Sequence, residues 1–243
     1  MAPGAVDIVL FDLGGVLIEL GGVRALRQLS AMASDDEVWR RWLTCPWVRT
    51  FESGHCSAAE FANGVVSDWN LPVSSERFLA LFRDWPVGPL AGASDLLAEV
   101  QRILPVGCLS NTNVLHWEHQ IDRWPLLEVF DYSFLSFDLG LVKPDSAIFA
   151  EVADRLPVDP GRVLFLDDNA LNTDAARSSG FLAEHVRGVA DARRAGCVRR
   201  SRRLGTREIR LGPRGGPERR LRCGGPRRSF ALLETRGCPP TPH

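Results

Sequence analysis

The sequence contains no long apolar run, no closely spaced cysteines and only one lysine. No apolar stretch reaches the roughly 18 residues that cross a bilayer, and the first residues lack a basic segment followed by an apolar one. The six cysteines, at positions 45, 56, 108, 197, 223 and 238, form no CxxC pair, which disfavours a zinc site or a disulfide framework. We therefore expect a protein of a reducing, cytoplasmic compartment without membrane contact.

The net charge of −1 conceals two oppositely charged regions. Residues 1–186 hold 12 Arg and one Lys against 26 Asp plus Glu, a net charge of −13. Residues 187–243 hold 16 Arg against 4 Asp plus Glu, a net charge of +12, and 31 of these 57 residues are Arg, Gly or Pro. Such a segment has little apolar surface to offset chain entropy, so we expect a disordered tail over residues 196–243. Its arginines could contact nucleic-acid phosphates, but a solvated tail is the simpler interpretation.

Short apolar segments alternate with helical patterns over most of the chain. The apolar segments predict buried strands over residues 6–11, 106–109, 132–135 and 163–166. The helical patterns predict helices over residues 94–103, 145–156 and 171–179. This alternation predicts an α/β fold with a Rossmann-like parallel sheet, formed by residues 1–19 and 89–195.

Residues 20–88 break the alternation. Ser34 with Glu37 and Ser57 with Glu60 have the spacing of helix-capping pairs, and nine Trp and Phe residues supply apolar faces. We therefore predict an all-helical cap inserted after the first strand. An aromatic stripe at helical spacing is more often core than ligand site, so only a few of these rings should face a substrate.

Polar residues follow three predicted strands at the position where open α/β sheets bind ligands, the carboxyl ends of parallel strands. These residues are Asp12, the pair Ser110-Asn111 and the pair Asp167-Asp168. Three carboxylates at one sheet edge repel one another unless a cation neutralises them. Mg²⁺ suits this set because it prefers hard oxygen ligands and often bridges carboxylates to a phosphate. The sequence therefore predicts Mg²⁺ as the cofactor.

Four ordered motifs resemble those of the haloacid dehalogenase-like (HAD) hydrolase superfamily, over residues 6–195. They are FDLGGVL at 11–17, LSNTN at 109–113, KPD at 143–145, and LDDN at 166–169 followed by Asn172. The stretch LSFDLGLVKP at 135–144 and the cap motif FESG at 51–54 are most similar to bacterial α-glucose-1-phosphate phosphatases. The next closest resemblance is to the N-terminal phosphatase domain of soluble epoxide hydrolases. The superfamily architecture, a Rossmann-like core with a helical cap, agrees with the predicted fold.

The resemblance implies a Mg²⁺-dependent phosphatase of small phosphomonoesters, with a sugar phosphate as the expected substrate and partner. The catalytic and substrate-binding residues that it implies are Asp12, Ser110, Asn111 and Lys143. The metal-binding residues that it implies are Asp12, Gly14 through its carbonyl, Asp168 and, in support, Asp167. Asp12 would attack phosphorus and form an aspartyl-phosphate. Lys143, the single lysine of the chain, would neutralise charge on Asp12 and the phosphoryl group.

One position departs from the pattern. Gly14 stands where many phosphatases of the superfamily carry a second Asp, which protonates the leaving oxygen. Such acid catalysis is typically worth about 10²- to 10⁴-fold, so we expect a slow enzyme, a good leaving group such as an anomeric phosphate, or a substitute residue. Haloacid dehalogenases also lack this Asp, but they work without metal and usually place an aromatic residue there. The alternative hypothesis is a catalytically weak or inert protein that binds a phosphometabolite or a protein partner.

Three histidines are left out of the predicted metal site. His116 and His119 lack the i, i+4 spacing of a zinc-binding helix. His55 follows the cap motif FESG directly, so it could touch substrate.

Overall fold

The computed structural model describes residues 5–201. Within this range no helix is long and apolar enough to cross a membrane. The last helix runs to Ser201 and so crosses the predicted start of the tail at residue 196. The remaining part of the predicted tail, residues 202–243, lies outside the described residues.

A parallel sheet of five strands forms the core, as the alternation of strands and helices predicts. The strands of the described chain are β1 (Ile8–Phe11), β2 (Ile18–Leu20), β3 (Pro86–Pro89), β4 (Val106–Ser110), β5 (Tyr132–Leu135), β6 (Val163–Asp167) and β7 (Leu182–His185). The sheet has the order β5-β4-β1-β6-β7, and every pair in it is parallel. The register aligns Phe11 with Cys108 and with Leu166, so β1, β4 and β6 end at one edge.

Apolar side chains cover both faces of the sheet, as expected of a buried parallel sheet. Alternate residues of β1 point to opposite sides: Val9 and Phe11 belong to one apolar cluster, and Ile8 and Leu10 belong to another. All four residues of β1 and all five of β6 are buried. The two clusters hold the strands rigidly and so fix the positions of the polar residues at their ends.

The helices surround the sheet and build the cap. They are α1 (Gly22–Ser30), α2 (Asp35–Thr44), α3 (Pro46–Glu52), α4 (Ala58–Asp68), α5 (Ser75–Arg83), α6 (Ala93–Gln101), α7 (Val114–His119), α8 (Ser136–Leu139), α9 (Ser146–Arg155), α10 (Ala170–Ser178) and α11 (Gly188–Ser201). Short 3-10 turns lie at Ile121–Arg123, Pro125–Val129 and Pro160–Arg162. The predicted helices correspond to α6, α9 and α10. Gly180 follows α10 with a φ of 89°, the left-handed conformation that suits glycine after a helix.

Helices α1 to α5 form the cap and pack around aromatic side chains. Ser57 and Glu60 form the reciprocal capping box at the start of α4, whereas Glu37 hydrogen-bonds the N–H of Ala33 instead of that of Ser34. Buried rings from four helices meet in the centre; Phe51 stacks on Phe61 at 4.4 Å, for example. These contacts explain why most cap aromatics serve as core.

The base of the cap also holds a two-stranded antiparallel ladder, which the sequence does not predict. Strand β2 pairs with β3 where the chain enters and leaves the cap. The strands have three and four residues, and β3 begins and ends in proline, so they carry no alternating pattern. The cap is therefore helical above a short β ladder that joins it to the core.

Candidate active site

The polar residues predicted at the strand ends meet at one edge of the sheet. Asp12 directly follows β1, Ser110 ends β4, and Asp167 ends β6. The N–H of Asp12 donates to the carbonyl of Leu166 at 2.8 Å, which continues the β1–β6 ladder by one residue. Asp12, Ser110 and Asp167 are all buried. The parallel register of the sheet thus brings residues from distant parts of the chain into one site.

Lys143 lies at the centre of this site and is buried. Its ammonium donates to Asp12 Oδ1 at 3.0 Å, to Asp167 Oδ2 at 2.6 Å and to the carbonyl of Leu109 at 2.9 Å. Burial by itself would lower the pKa of Lys143, but the charges of Asp12 and Asp167 outweigh it and raise the pKa above its usual range. Because an ammonium has three donors, all of them are used in this arrangement.

Asp167 holds Lys143 in place. The side-chain amide of Asn172 donates to both carboxylate oxygens of Asp167 at 3.0 Å, and the N–H of Asn169 donates to Oδ1 at 2.8 Å. With the bond from Lys143, both oxygens of Asp167 accept hydrogen bonds from the protein. Asp167 therefore serves chiefly to orient the lysine.

The three carboxylates lie close enough together to share a cation. One oxygen each of Asp12, Asp167 and Asp168 falls within 4.8 Å of the others. Burial raises the pKa of Asp12 to about 7; the charge of Lys143 opposes this rise, and Asp167 and Asp168 add to it. Burial also raises the pKa of Asp168 to about 6, again with a contribution from Asp167.

The donor set fits a divalent cation. Three carboxylates and the single ammonium of Lys143 leave two negative charges in a desolvated site. A hard cation with two positive charges would balance them and favour the ionised forms of Asp12 and Asp168. Hydrogen bonds already occupy both oxygens of Asp167, so Asp12 and Asp168 are the better direct ligands.

Two glycines after Asp12 have different roles. Gly15 has a φ of 69°, and a Cβ on it would lie 2.0 Å from Asp168 Oδ2, so only glycine lets the Asp168 carboxylate approach this loop. A Cβ on Gly14 would instead lie 2.8 Å from Leu20 Cδ1, the end of a flexible side chain. The backbone hydrogen bonds within this loop are made by Leu13 and Gly15, and none of them uses the carbonyl of Gly14, which the resemblance implies as a metal ligand.

Ser110 is the last residue of β4 and Asn111 follows it, but the side chain of Asn111 bonds to the chain at Lys143. Its amide donates to the carbonyl of Lys143 at 3.0 Å, and its oxygen accepts from the N–H of Lys143 at 2.9 Å. Asn111 therefore anchors the loop that carries the lysine, and its side-chain amide is used there rather than on a phosphoryl oxygen. Ser110 is buried and its hydroxyl lies 3.4 Å from the carbonyl of Asn111, a long contact.

A cavity of about 660 Å³ opens above these residues, between the core and the cap. The cap residues on its wall are Asp35, Asp36, Trp39, Trp42, Leu43, Glu52, Phe82 and Trp85. Four of the nine aromatic residues of the cap line it, and three of these, Trp42, Phe82 and Trp85, are at the same time buried in the cap core. The cap side of the cavity thus combines aromatic rings with carboxylates.

The sequence did not identify three polar residues of the cavity wall as functional. Glu52 belongs to the quoted FESG motif, but nothing in the motif shows that its side chain reaches the core site. Burial raises the pKa of Glu52 to about 7, although the nearby Trp42 side chain acts to lower this pKa. His185 ends β7, which the sequence does not predict, and Arg187 lies two residues further on. The Nε2 atom of His185 lies 2.8 Å from the carbonyl oxygen of Asp168.

Among the described residues, the group of side chains close enough together to hold a metal ion consists of the carboxylates of Asp12, Asp167 and Asp168. His116 is buried; its Nε2 lies 2.6 Å from the carbonyl of Phe82, and its Nδ1 lies 3.1 Å from the Asn113 amide. Burial lowers the pKa of His116 to about 4, so it is neutral at physiological pH. His116 thus links the core to helix α5 of the cap.

Comparison with known proteins agrees with this fold. A sequence profile for haloacid dehalogenase-like hydrolases matches residues 6–180. The chain is 25% identical over 185 residues to a D-ribitol-5-phosphate phosphatase of Bacteroides thetaiotaomicron, covering 71% of this chain and 88% of that protein. It is also 25% identical over 185 residues to an (S)-2-haloacid dehalogenase of Pseudomonas fluorescens, covering 71% of this chain and 80% of the dehalogenase.

Solved structures share the architecture. A HAD family enzyme of Bacteroides thetaiotaomicron, in complex with magnesium and inorganic phosphate, superposes with a TM-score of 0.59 at 24% identity. The match covers 75% of this chain and 95% of that enzyme. The α/β sheet with its cap is therefore a shared fold.

Proposed function

Because the chain belongs to the haloacid dehalogenase-like hydrolase family, we propose that it is a Mg²⁺-dependent phosphatase of small phosphomonoesters, with a sugar phosphate as substrate. The observation that carries this proposal is the buried contact of Lys143 with Asp12 and Asp167, next to the carboxylate of Asp168. Phosphoryl transfer is catalysed mainly by positioning and charge neutralisation, and this cluster offers both.

Asp12 is the proposed nucleophile. One of its carboxylate oxygens attacks phosphorus, the bond to the ester oxygen breaks, and the alcohol leaves; water then cleaves the aspartyl-phosphate and releases inorganic phosphate. The hydrogen bond from Lys143 orients the carboxylate and opposes the rise in its pKa that burial causes. Ser110, at the end of the neighbouring strand, is the proposed hydroxyl donor to a phosphoryl oxygen.

The residues that would hold Mg²⁺ are Asp12, the Gly14 carbonyl and Asp168, with Asp167 supporting the site through Lys143. Bound Mg²⁺ supplies positive charge for the phosphoryl oxygens and for the attacking carboxylate. The two negative charges that the cluster leaves uncompensated support this assignment. Lys143, whose donors are bound within the protein, acts on the phosphoryl group as a nearby charge.

Sequence identity does not separate phosphatase from dehalogenase activity, since one relative of each kind is 25% identical to this chain. The charge of the site favours the phosphatase. Displacement of a halide from carbon builds up no polyanionic centre, so it gains little from a cluster suited to a divalent cation. Gly14, in place of the aromatic residue usual in dehalogenases, supports the same conclusion.

A panel of phosphorylated sugars and sugar alcohols tests the proposal, including D-ribitol 5-phosphate, for which the Bacteroides relative is named. We expect Mg²⁺-dependent release of phosphate from at least one member, abolished by EDTA and by Asp12→Asn. The second candidate function, a binder without turnover, is favoured by the missing acid at Gly14. Heat of binding in calorimetry with no phosphate release from any member would support the binder and contradict the enzyme.

A further inference from the structure

The motif of the nucleophile offers no acid for departure of the leaving group. Gly14 lies two residues after Asp12 and has no side chain. An alkoxide leaves poorly, and a positioned acid typically accelerates its departure by about 10²- to 10⁴-fold. A phosphatase built on this site needs an acid from elsewhere in the cavity if its substrate is an ordinary sugar phosphate.

The cap supplies the candidates, because three of its carboxylates lie on the cavity wall: Asp35, Asp36 and Glu52. Asp35 and Asp36 are exposed at the start of α2. Glu52 is partly buried, and the charges of Lys143 and Asp12 both act on it. Glu52 is therefore the cap carboxylate most closely coupled to the reacting centre.

Contacts between α3 and the core fix the position of Glu52. The guanidinium of Arg49, one turn earlier in the helix, pairs with Asp145 at 2.6 Å, two residues after the catalytic lysine. Gly54 has a φ of 73°, and a Cβ on it would lie 2.6 Å from the carbonyl of Phe137 at α8. The chain on both sides of Glu52 is thus held against the core.

The side chain of Trp42 in α2 also acts on the Glu52 carboxyl group within the cap. Its indole N–H can only donate, so it favours the ionised form of that group. Trp42 is itself packed against Trp85, with ring centroids 4.7 Å apart. The residue before Glu52, Phe51, is buried in the aromatic core, so packing holds the backbone at Glu52 in place.

We propose that Glu52 is the general acid of the reaction, a role that rests on the proposed phosphatase function. As the Asp12 oxygen bonds to phosphorus, the ester P–O bond breaks and its electron pair stays on the leaving oxygen. That oxygen takes the proton of the Glu52 carboxylic acid, and the alcohol departs. The cap thus supplies the acid that the core lacks at Gly14.

The same side chain acts in the second half of the reaction. Glu52, now a carboxylate, takes a proton from a water molecule, whose oxygen attacks the phosphorus of the aspartyl-phosphate. The bond between phosphorus and the Asp12 oxygen breaks, which restores the Asp12 carboxylate and gives inorganic phosphate. Glu52 ends the cycle protonated, so no further co-reactant is needed.

The environment of Glu52 suits both roles. Burial raises its pKa to about 7, while the hydrogen bond from Trp42 and the charges of Lys143 and Arg49 oppose the rise and the charge of Asp12 adds to it. Both forms of the carboxyl group are therefore populated near neutral pH. The other ionisable groups on the cavity wall are Asp35, Asp36, Asp168, His116, His185 and Arg187.

A comparison of leaving groups tests the proposal on the full chain with Mg²⁺. The value of kcat/KM reports the steps up to departure of the leaving group, so it isolates the acid step from hydrolysis of the aspartyl-phosphate. p-Nitrophenolate leaves readily without a proton, whereas phenolate needs more help. We expect Glu52→Gln to lower kcat/KM for phenyl phosphate by about 10²-fold or more, and for p-nitrophenyl phosphate by less than about tenfold.

The controls separate this role from a structural one. Asp36→Asn is a matched change on the same cavity wall, and it should leave the ratio of kcat/KM for phenyl phosphate to that for p-nitrophenyl phosphate as in the wild type. Glu52→Asp keeps an acid, so its ratio should stay close to the wild-type value. Equal losses on both substrates for Glu52→Gln would overturn the proposal, as would a shift of the ratio in Glu52→Asp as large as in Glu52→Gln. A wild-type chain that hydrolyses neither substrate would contradict the phosphatase function itself.

Discussion

The ammonium of Lys143 donates a hydrogen bond to Asp12 Oδ1 at 3.0 Å, between two buried side chains 131 residues apart in the chain. This contact joins a loop before α9 to the end of β1. It places the proposed nucleophile beside a fixed positive charge, which is the arrangement that phosphoryl transfer requires. Because of this contact, the stability of the folded protein should depend on the charges of both Lys143 and Asp12.

Lys143→Met removes that charge while keeping an unbranched side chain. Asp12 and Asp167 then face each other as buried carboxylates without a cation from the protein, so we expect a loss of about 3–5 kcal/mol in the free energy of unfolding without Mg²⁺. Urea denaturation at neutral pH measures it. As a control, Arg155→Met breaks the exposed pair with Glu151 and should cost less than about 1 kcal/mol. Equal costs for the two variants would contradict a central role for Lys143.

The stability of the Mg²⁺-free protein should fall as pH rises through the site's titration. Burial raises the pKa of Asp12 to about 7 and of Asp168 to about 6, above the usual 3.8. The folded state therefore binds protons that the unfolded state releases. Their stabilising contribution is complete below pH 3.8, the usual pKa of Asp, and is lost as the pH rises through the folded-state pKa values of about 6 and about 7.

Because Mg²⁺ binds the ionised carboxylates, its stabilising effect should be larger at high pH. Melting temperatures with and without Mg²⁺, compared at about pH 5 and about pH 8, measure the effect. Asp168→Asn should largely abolish the increase. An equal Mg²⁺ effect at both pH values would show that the ion binds elsewhere or not at all.

Gly15→Ala should be far more damaging than Gly14→Ala. The new Cβ at Gly15 meets Asp168 Oδ2 at 2.0 Å in a left-handed backbone conformation, whereas that at Gly14 meets the movable end of Leu20. We expect Gly15→Ala to weaken Mg²⁺ binding by about 10- to 100-fold, since a displaced Asp168 no longer presents its carboxylate. Isothermal calorimetry with Mg²⁺ compares the two variants, and similar affinities would contradict the assigned contact.

Gly14→Asp should partly rescue Glu52→Gln. The new carboxyl group lies two residues after Asp12, and the Leu20 side chain that its Cβ would contact is flexible enough to move aside. In the double variant we expect kcat/KM for phenyl phosphate to recover by about tenfold or more over Glu52→Gln alone, because an acid is again available. Gly14→Ala in the same background supplies no acid and should give no recovery. Failure of the aspartate to exceed the alanine would mean that proton donation does not limit the Glu52→Gln variant.

The sequence predicted the core and the position of the central cluster well. Asp12, Ser110 and Asp167 end apolar segments, and the carboxyl ends of parallel strands must meet at one edge, so local pattern was enough. For Asn111 the sequence predicts the position at the end of β4 but not the contacts of the side chain. Its hydrogen bonds to the Lys143 backbone depend on a loop 32 residues away. Roles that arise from such tertiary pairing leave little trace in a single sequence.

Other features had no local signal. Strand β7 has four residues, includes Glu184 and is only partly buried, so it lacks the apolar run that marks β1 or β6. His185, which ends this strand, and Arg187, which lies just beyond it, have no sequence signal for the same reason. The sequence does not predict the proposed role of Glu52, because the docking of the cap through Arg49 and Gly54 decides where this side chain lies.

The most direct test of the account is to trap the phosphorylated enzyme. Wild-type chain is mixed with a substrate from the panel in the presence of Mg²⁺, quenched in acid and examined by intact-mass and peptide mass spectrometry. We expect an adduct of one phosphoryl group on the peptide that contains Asp12, absent in Asp12→Asn, together with loss of turnover in that variant. An Asp12→Asn chain that releases phosphate as fast as the wild type, or an adduct on another residue, would contradict it.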